Sequence, residues 1–358
     1  MSQGELIFGR DGALWAQPFD ADARTMLGEA RLINDATVIS PNFGAGAYSA
    51  SLEGRLVYVT GQIESNNRLL LYDTNGNVSQ TLTFSASRVE DQQFSPDGRQ
   101  VAVTLRSAES AEEGDIWVRD LDRGTVSRVT TDENASNPVW APTQDRIAYQ
   151  RDDDIVVRSL QGNREVLLEV LELGSWAAPH SWTRDGRHIL YTFAPEPDTT
   201  RIGWVDVEDP SRREVLVADG RYSYHPSLSP DEKWIVYGSN KTGSSQVYLR
   251  DIEGRGRVYQ VTRDGGAHCQ WSPDGREIYF WDENDRGVGA VTVEFTPNGP
   301  VLGNPRTLFN AGLRGGIDFQ HKFRVNPQGD QFLIAPGSND LISPLQIVSD
   351  WKRALENR

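Results

Sequence analysis

Apolar and polar residues alternate in short runs along nearly the whole chain, the period-two pattern of strands with one buried face. The stretch Trp271 to Phe280, WSPDGREIYF, shows the unit. An apolar residue ends one strand, Ser-Pro-Asp-Gly turns the chain, and a fresh alternation begins. Proline presets the turn dihedral, Asp bonds back to nearby amides, and Gly takes the positive φ that a side chain resists. The same corner follows Ala50 (ASLEGRLVYV), Phe94 (FSPDGRQVAV), Trp140 (WAPTQDRIAY), Trp182 (WTRDGRHILY), Leu228 (LSPDEKWIVY) and Val325 (VNPQGDQFLI). Neighbouring corners lie roughly 42 to 46 residues apart, and the last step is about 54, a period that belongs to radially repeated antiparallel sheets.

Each corner is followed by a further alternating strand, such as Asp115 to Leu121 (DIWVRDL) or Ser245 to Ile252 (SQVYLRDI), and then by a short fourth one. The pattern predicts an all-β fold, a β-propeller of four-stranded antiparallel blades. Seven blades account for the repeats if closure is mixed, and eight remain open. A small sheet cannot bury both faces alone, so the expectation is one domain over residues 1–358. Within it, residues 5–33 make a partial blade, 43–309 the regular repeats, and 319–351 a last blade that closes against the N-terminal strands.

Composition narrows the function. A net charge of −15 and a pI near 4.8 argue against nucleic acid and anionic lipid, which need clustered Lys and Arg. The lone cysteine, Cys269, excludes an intrachain disulfide. No apolar run reaches the length of a membrane span, and the opening MSQGELIFGRDG lacks a signal-peptide pattern. The expectation is therefore a cytoplasmic chain as written, or an extracytoplasmic one if it belongs to a larger membrane protein.

SPDG corners followed by DIWVRDL-type and VSRVT-type strands resemble the PD40 repeats of the TolB-like propeller family. The opening LIFGRDGALWAQPFDADARTMLGEA, the segment GDIWVRDLDRGTVSRVTTD and the late NPQGDQFLIAP with Trp351 are similar to the propeller region that follows the kinase domain in some bacterial serine/threonine kinases. No kinase motif is present, so the resemblance implies sensing or protein binding. Nucleophile elbow, HExxH and Walker A patterns are also missing from the sequence.

Histidine placement is the chemical signal. Four of the five lie just before a corner: His225 and His268 three residues before its apolar residue, His180 two before, His321 four before. Asp91 and Asn137 hold the three-before place in earlier repeats. If these segments are the innermost strands, Asp91, Asn137, His180, His225, His268 and His321 converge on the channel mouth. There they would take a protein segment or small ligand. Imidazoles with a carboxylate also suit a divalent metal such as Mn, Zn or Ca, held by His180, His225, His268 and His321. That alternative is a metal-dependent enzyme, resembling in plan the axial histidine site of oligogalacturonate lyases. Trp176, outside the strands, is the aromatic best placed for a surface contact, and Tyr48, Tyr222 and Tyr224 stand near the mouth. The corner Asp and Gly residues are explained by turn geometry alone.

Overall fold

The corner residues close the turns with their own side chains. After Phe94, the Ser95 hydroxyl donates to Asp97 Oδ1 at 2.6 Å and accepts from the Gln100 amide at 2.9 Å, while Gly98 turns left-handed at φ 75°. The same Ser/Thr-to-Asp bond recurs at Thr183–Asp185, Ser229–Asp231 and Ser272–Asp274. A computed structural model shows what these hairpins build. It describes residues 3–10, 13–35, 48–51, 55–59, 67–85, 88–107, 114–131, 134–162, 164–168, 170, 176–253, 257–282, 284–311, 322–335, 345–349 and 351.

The chain divides into two compact units, Met1–Ser65 with Ser338–Arg358, and Asn66–Gly337. Among the described residues the larger unit holds six antiparallel sheets. Their first strands in chain order are Arg88–Phe94, Ala135–Trp140, Ala177–Trp182, Ser223–Leu228 and Ala267–Trp271, with Phe323–Val325 opening the sixth. Each of these strands packs on the next, and Phe323–Val325 also touches Arg88–Phe94, so the contacts run in a circle.

The sixth sheet makes that circle. Phe323–Val325 and Gln331–Ile334 are joined there by Arg68–Asp73 and Val78–Thr83, with Phe332 opposite Tyr72 and Leu333 opposite Leu71. Closure is therefore mixed, using strands from both ends of this unit. The sequence places Leu69 to Tyr72 and Val78 to Phe84 as the outer strands of the repeat whose corner follows Ala50, and the structure assigns them to this last sheet. Aromatic packing favours the pairing, since Tyr72, Phe309, Phe323, Phe332 and Trp281 share one buried cluster. Burying each such side chain contributes about 1.5 to 3 kcal/mol. Similar seams lie between the other sheets. Trp182, for example, packs with Val139, Ile155 and Tyr191 and donates its indole N–H to the Val139 carbonyl at 3.2 Å.

The smaller unit contains Gln3–Arg10, Ala13–Asp20, Thr25–Met26 and Arg31–Asn34 in one sheet, and Leu345–Val348, Leu56–Val59 and Tyr48–Ala50 in another. Leu14, Ala16, Leu56, Tyr58 and Trp351 form its core. Residues Glu5 to Ile33 thus pair among themselves. No helix among the described residues is long and apolar enough to cross a membrane.

Candidate functional site

Every inner strand from Arg88–Phe94 to Ala267–Trp271 carries a slip in its ladder. The register shifts against the second strand around Asp91, Asn137, His180, His225 and His268. A bulge leaves one extra residue unpaired and re-aims its side chain. At four of these places the bulged residue is left-handed: Asp91 at φ 52°, Asn137 at 54°, His225 at 48° and His268 at 48°. The three-before positions are thus structurally equivalent. His180, two before its corner, is the member of this set whose backbone is not left-handed. His321 lies outside the described residues, and on Phe323–Val325 the three-before place belongs to Lys322, whose carbonyl accepts from Gln92 Nε2 at 3.4 Å.

The backbone accounts for part of the pattern. Asn, Asp and His are the non-glycine residues that tolerate the left-handed region best, so the bulge itself selects these types. His180 has no such explanation.

The histidines do come together. The His180 and His225 rings meet edge to face at 5.5 Å between centroids and 89°, and His225 lies over His268 at 4.3 Å and 31°. All three are buried. Burial holds His180 and His268 well below the usual imidazole range, with His225 and the Arg324 guanidinium adding to the effect at both and Lys322 at His268. Both are neutral at neutral pH. A single ion must lie in the plane of each coordinating ring, along its nitrogen lone pair. Stacked rings such as His225 over His268 do not offer this, and among the described residues no group of three or more His, Cys, Asp or Glu is placed to hold a metal ion. The metal-enzyme alternative therefore finds no such geometry among the described residues, which do not include His321.

Asp91 is turned to its neighbours. Its Oδ2 accepts from the Thr104 hydroxyl at 3.0 Å and the Asn137 backbone amide at 3.3 Å, while Oδ1 is buried with no hydrogen-bond partner among the described residues. Burial and the adjacent Glu90 raise its carboxyl to about 6, against the pull of Arg106 and these hydrogen bonds.

Asn137, His180 and His225 line one cavity of about 210 Å³ at the starting end of the inner strands, together with Trp176, Tyr224, Gln150 and Thr192. Asp91 and His268 are not part of its wall. The Asn137 amide donates to Gln150 Oε1 at 3.0 Å, and the Tyr224 hydroxyl is bonded to Ser245. The Thr192 hydroxyl is buried and has no partner among the described residues. Gln150 and Thr192 were not singled out in the sequence. Their signal is antiparallel pairing: the end of a second strand lies opposite the start of the first, as in Gln150 opposite Ser136 and Thr192 opposite Ala178. Of the other expected aromatics, Tyr48 lies in the smaller unit with its hydroxyl on the Ile7 carbonyl, and Tyr222 sits under Arg221.

No protein-family profile matches the chain. The uncharacterized protein Atu1656 of Agrobacterium fabrum is 23% identical over 252 residues, covering 67% of this chain and 81% of that protein. The uncharacterized peptidase YuxL of Bacillus subtilis is 24% identical over 199 residues, and the match spans 28% of its length. Among solved structures, a putative TolB from Agrobacterium tumefaciens superposes with a TM-score of 0.57 at 21% identity, covering 75% of this chain and 96% of that one. TolB from Acinetobacter baumannii gives 0.51 at 16%, covering 92% and 78%. At these identities the likeness shows the fold alone, a TolB-like β-propeller. The kinase-linked kinship finds no support in these relatives. The expectation of a cytoplasmic chain is corrected by the same finding. It rested on a leader missing from the residues given, whereas the fold is shared with TolB, a periplasmic protein.

Proposed function

We propose that Asn66–Gly337 is a six-bladed binding propeller whose cavity at the starting end of the inner strands takes a neutral, polar ligand, an extended protein segment in preference to a free anion. The circular contacts of the inner strands and the shared sixth sheet support a count of six blades. One observation carries the binding reading: a buried hydroxyl without a partner among the described residues, Thr192, faces a cavity with a neutral imidazole, two amides and the half-buried indole of Trp176. Leaving such a hydroxyl unpaired is costly, and a ligand that bonds it recovers that cost. Peptide N–H and C=O groups match an amide-rich wall, while a free anion meets no charge there. The channel-mouth residues in this reading are Asn137, His180 and His225, with Asp91 and His268 supporting them from behind. An extracytoplasmic setting belongs to the same reading, supported by the likeness to TolB.

Selection of linear peptides from a displayed library on the intact chain tests this. Peptides that bind are expected to lose about tenfold in affinity for Thr192→Val and Trp176→Ala, the loss of one buried hydrogen bond or one aromatic contact. Selected peptides that bind both variants as well as the parent would place the ligand elsewhere and sink the assignment.

A further inference from the structure

A second cavity, of about 360 Å³, opens at the other end of the same strands, where they run into the corners. Its wall includes Gln93, Ser227, Gln270 and Arg324, each one residue before its corner's apolar residue, with Arg184 at the rim. The ladder thus gives it a ring of its own, one layer below the bulges.

Arg324 is the unusual member. It is 8% exposed, and among the described residues no hydrogen bond or ion pair reaches its guanidinium, whose Nε is buried. A buried charge without a partner is strongly unfavourable unless something supplies one. Compensation comes from Asp91, which acts on it through space while accepting its own hydrogen bonds from the Thr104 hydroxyl and the Asn137 backbone amide. Burial lowers Arg324 only to about 10, so it remains a cation at neutral pH. Two amides complete the site. Gln270 spends its oxygen on the Val325 amide at 3.1 Å, which leaves its NH₂ for the cavity. Gln93 presents a buried oxygen that accepts nothing among the described residues.

We propose that this cavity binds a peptide carboxylate, an aspartate or glutamate side chain or a chain terminus, with Arg324 as its cation. The guanidinium and the Gln270 NH₂ donate to the carboxylate, and Gln93 accepts a neighbouring peptide N–H. Arg324 is the one buried charge in the wall and balances a monoanion, whereas the second charge of phosphate would meet only Arg184 at the solvent-exposed rim, where the attraction is screened. The chain's overall negative charge acts at long range and is screened beyond about 8 to 10 Å, so it does not decide an enclosed contact. This site is independent of the cavity at the strand starts. The peptide selection above reads Thr192 and Trp176, and neither touches Arg324.

The test uses the intact chain and four probes: N-acetyl-aspartate N-methylamide, its asparagine analogue, acetate and inorganic phosphate. Binding is read from the arginine Nε–Hε resonances and from the shift in melting temperature. The aspartate probe is expected to saturate a resonance that Arg324→Gln removes. It should bind about fivefold more tightly than acetate, the worth of one added hydrogen bond from the peptide N–H. The asparagine analogue should leave the resonance unmoved. Equal binding of the aspartate and asparagine probes, tighter binding of phosphate, or an aspartate effect that survives Arg324→Gln would each overturn the proposal. The probe contrast is decisive even if Arg324→Gln melts poorly, because it needs only the parent chain. Arg324→Met supplies the complementary reading: removal of an uncompensated buried charge should raise the melting temperature in probe-free buffer and abolish stabilisation by the aspartate probe.

Discussion

Replacing His225 by alanine and by glycine separates the backbone's demand from the side chain's contribution. Both changes remove the same contacts: the ring edge against His180, the ring over His268 and the edge against Tyr224. The two variants then differ chiefly in how they tolerate φ 48°. An alanine in the left-handed region costs about 1 to 2 kcal/mol. Glycine pays no such steric cost but gives up roughly 0.5 to 1 kcal/mol through the greater freedom of the unfolded chain. His225→Gly should therefore be more stable than His225→Ala by about 0.5 to 1 kcal/mol, or about 1 to 4 °C in melting temperature for a unit of this size.

His180 is the internal control. It sits in the same kind of strand, but its backbone is not left-handed. The order must invert there, with His180→Gly less stable than His180→Ala by about 0.5 to 1 kcal/mol, the ordinary cost of glycine in a strand. Calorimetry on the four variants reads the sign directly. If His225→Gly melts at or below His225→Ala, the left-handed bulge does not explain why Asp, Asn and His recur at the three-before places, and the reasoning fails.

Two further outcomes follow from buried titratable groups. Asp91 titrates near 6 in the folded chain against about 3.9 when unfolded, so the native state binds the extra proton and stability falls as pH rises from about 4 to about 6. Asp91→Asn keeps a residue that accepts φ 52° and should remove that fall, a gain over the parent of up to about 3 kcal/mol at pH 7 that vanishes near pH 4; a parent-minus-variant difference independent of pH would contradict it. Cys269 is buried, burial pushes its thiol well above the usual range, and its Sγ lies 3.7 Å from the His225 carbonyl. It should resist a thiol reagent in the native state and react fully in denaturant, and rapid native labelling would show that the inner strand opens.

Much of the fold was legible because one corner, repeated, carries its own chemistry. Ser, Pro, Asp and Gly mark a turn through local bonds such as Ser272 to Asp274, and local bonds leave local sequence signatures. Closure is not local. Leu69 to Tyr72 reads identically as the third strand of one repeat or as the partner of Gln331–Ile334, and the choice depends on which buried cluster Tyr72 joins. Alternation along a strand reports that a face is buried, and says nothing of which strand lies beside it.

The site was legible to the same depth and failed at the same boundary. Counting back from each corner found the equivalent places, because antiparallel register preserves distance from a turn; that is why Asp91, Asn137, His225 and His268 share one conformation. Counting could not say why those residue types stand there, and a recurring backbone angle explains His225 and His268 as readily as a ligand does. The positions that escape that explanation carry more functional weight. His180 lacks the left-handed backbone, Thr192 faces the cavity from a second strand with no partner among the described residues, and Arg324 is a buried cation in a place where most repeats put Ser or Gln. None of the three is required by a turn, a bulge or a packed seam, and each leaves the folded chain with a polar group that a partner can satisfy or a neutral ring set in a cavity wall. The two ends of the inner strands therefore differ in chemistry, one neutral and amide-rich, the other with a single buried positive charge.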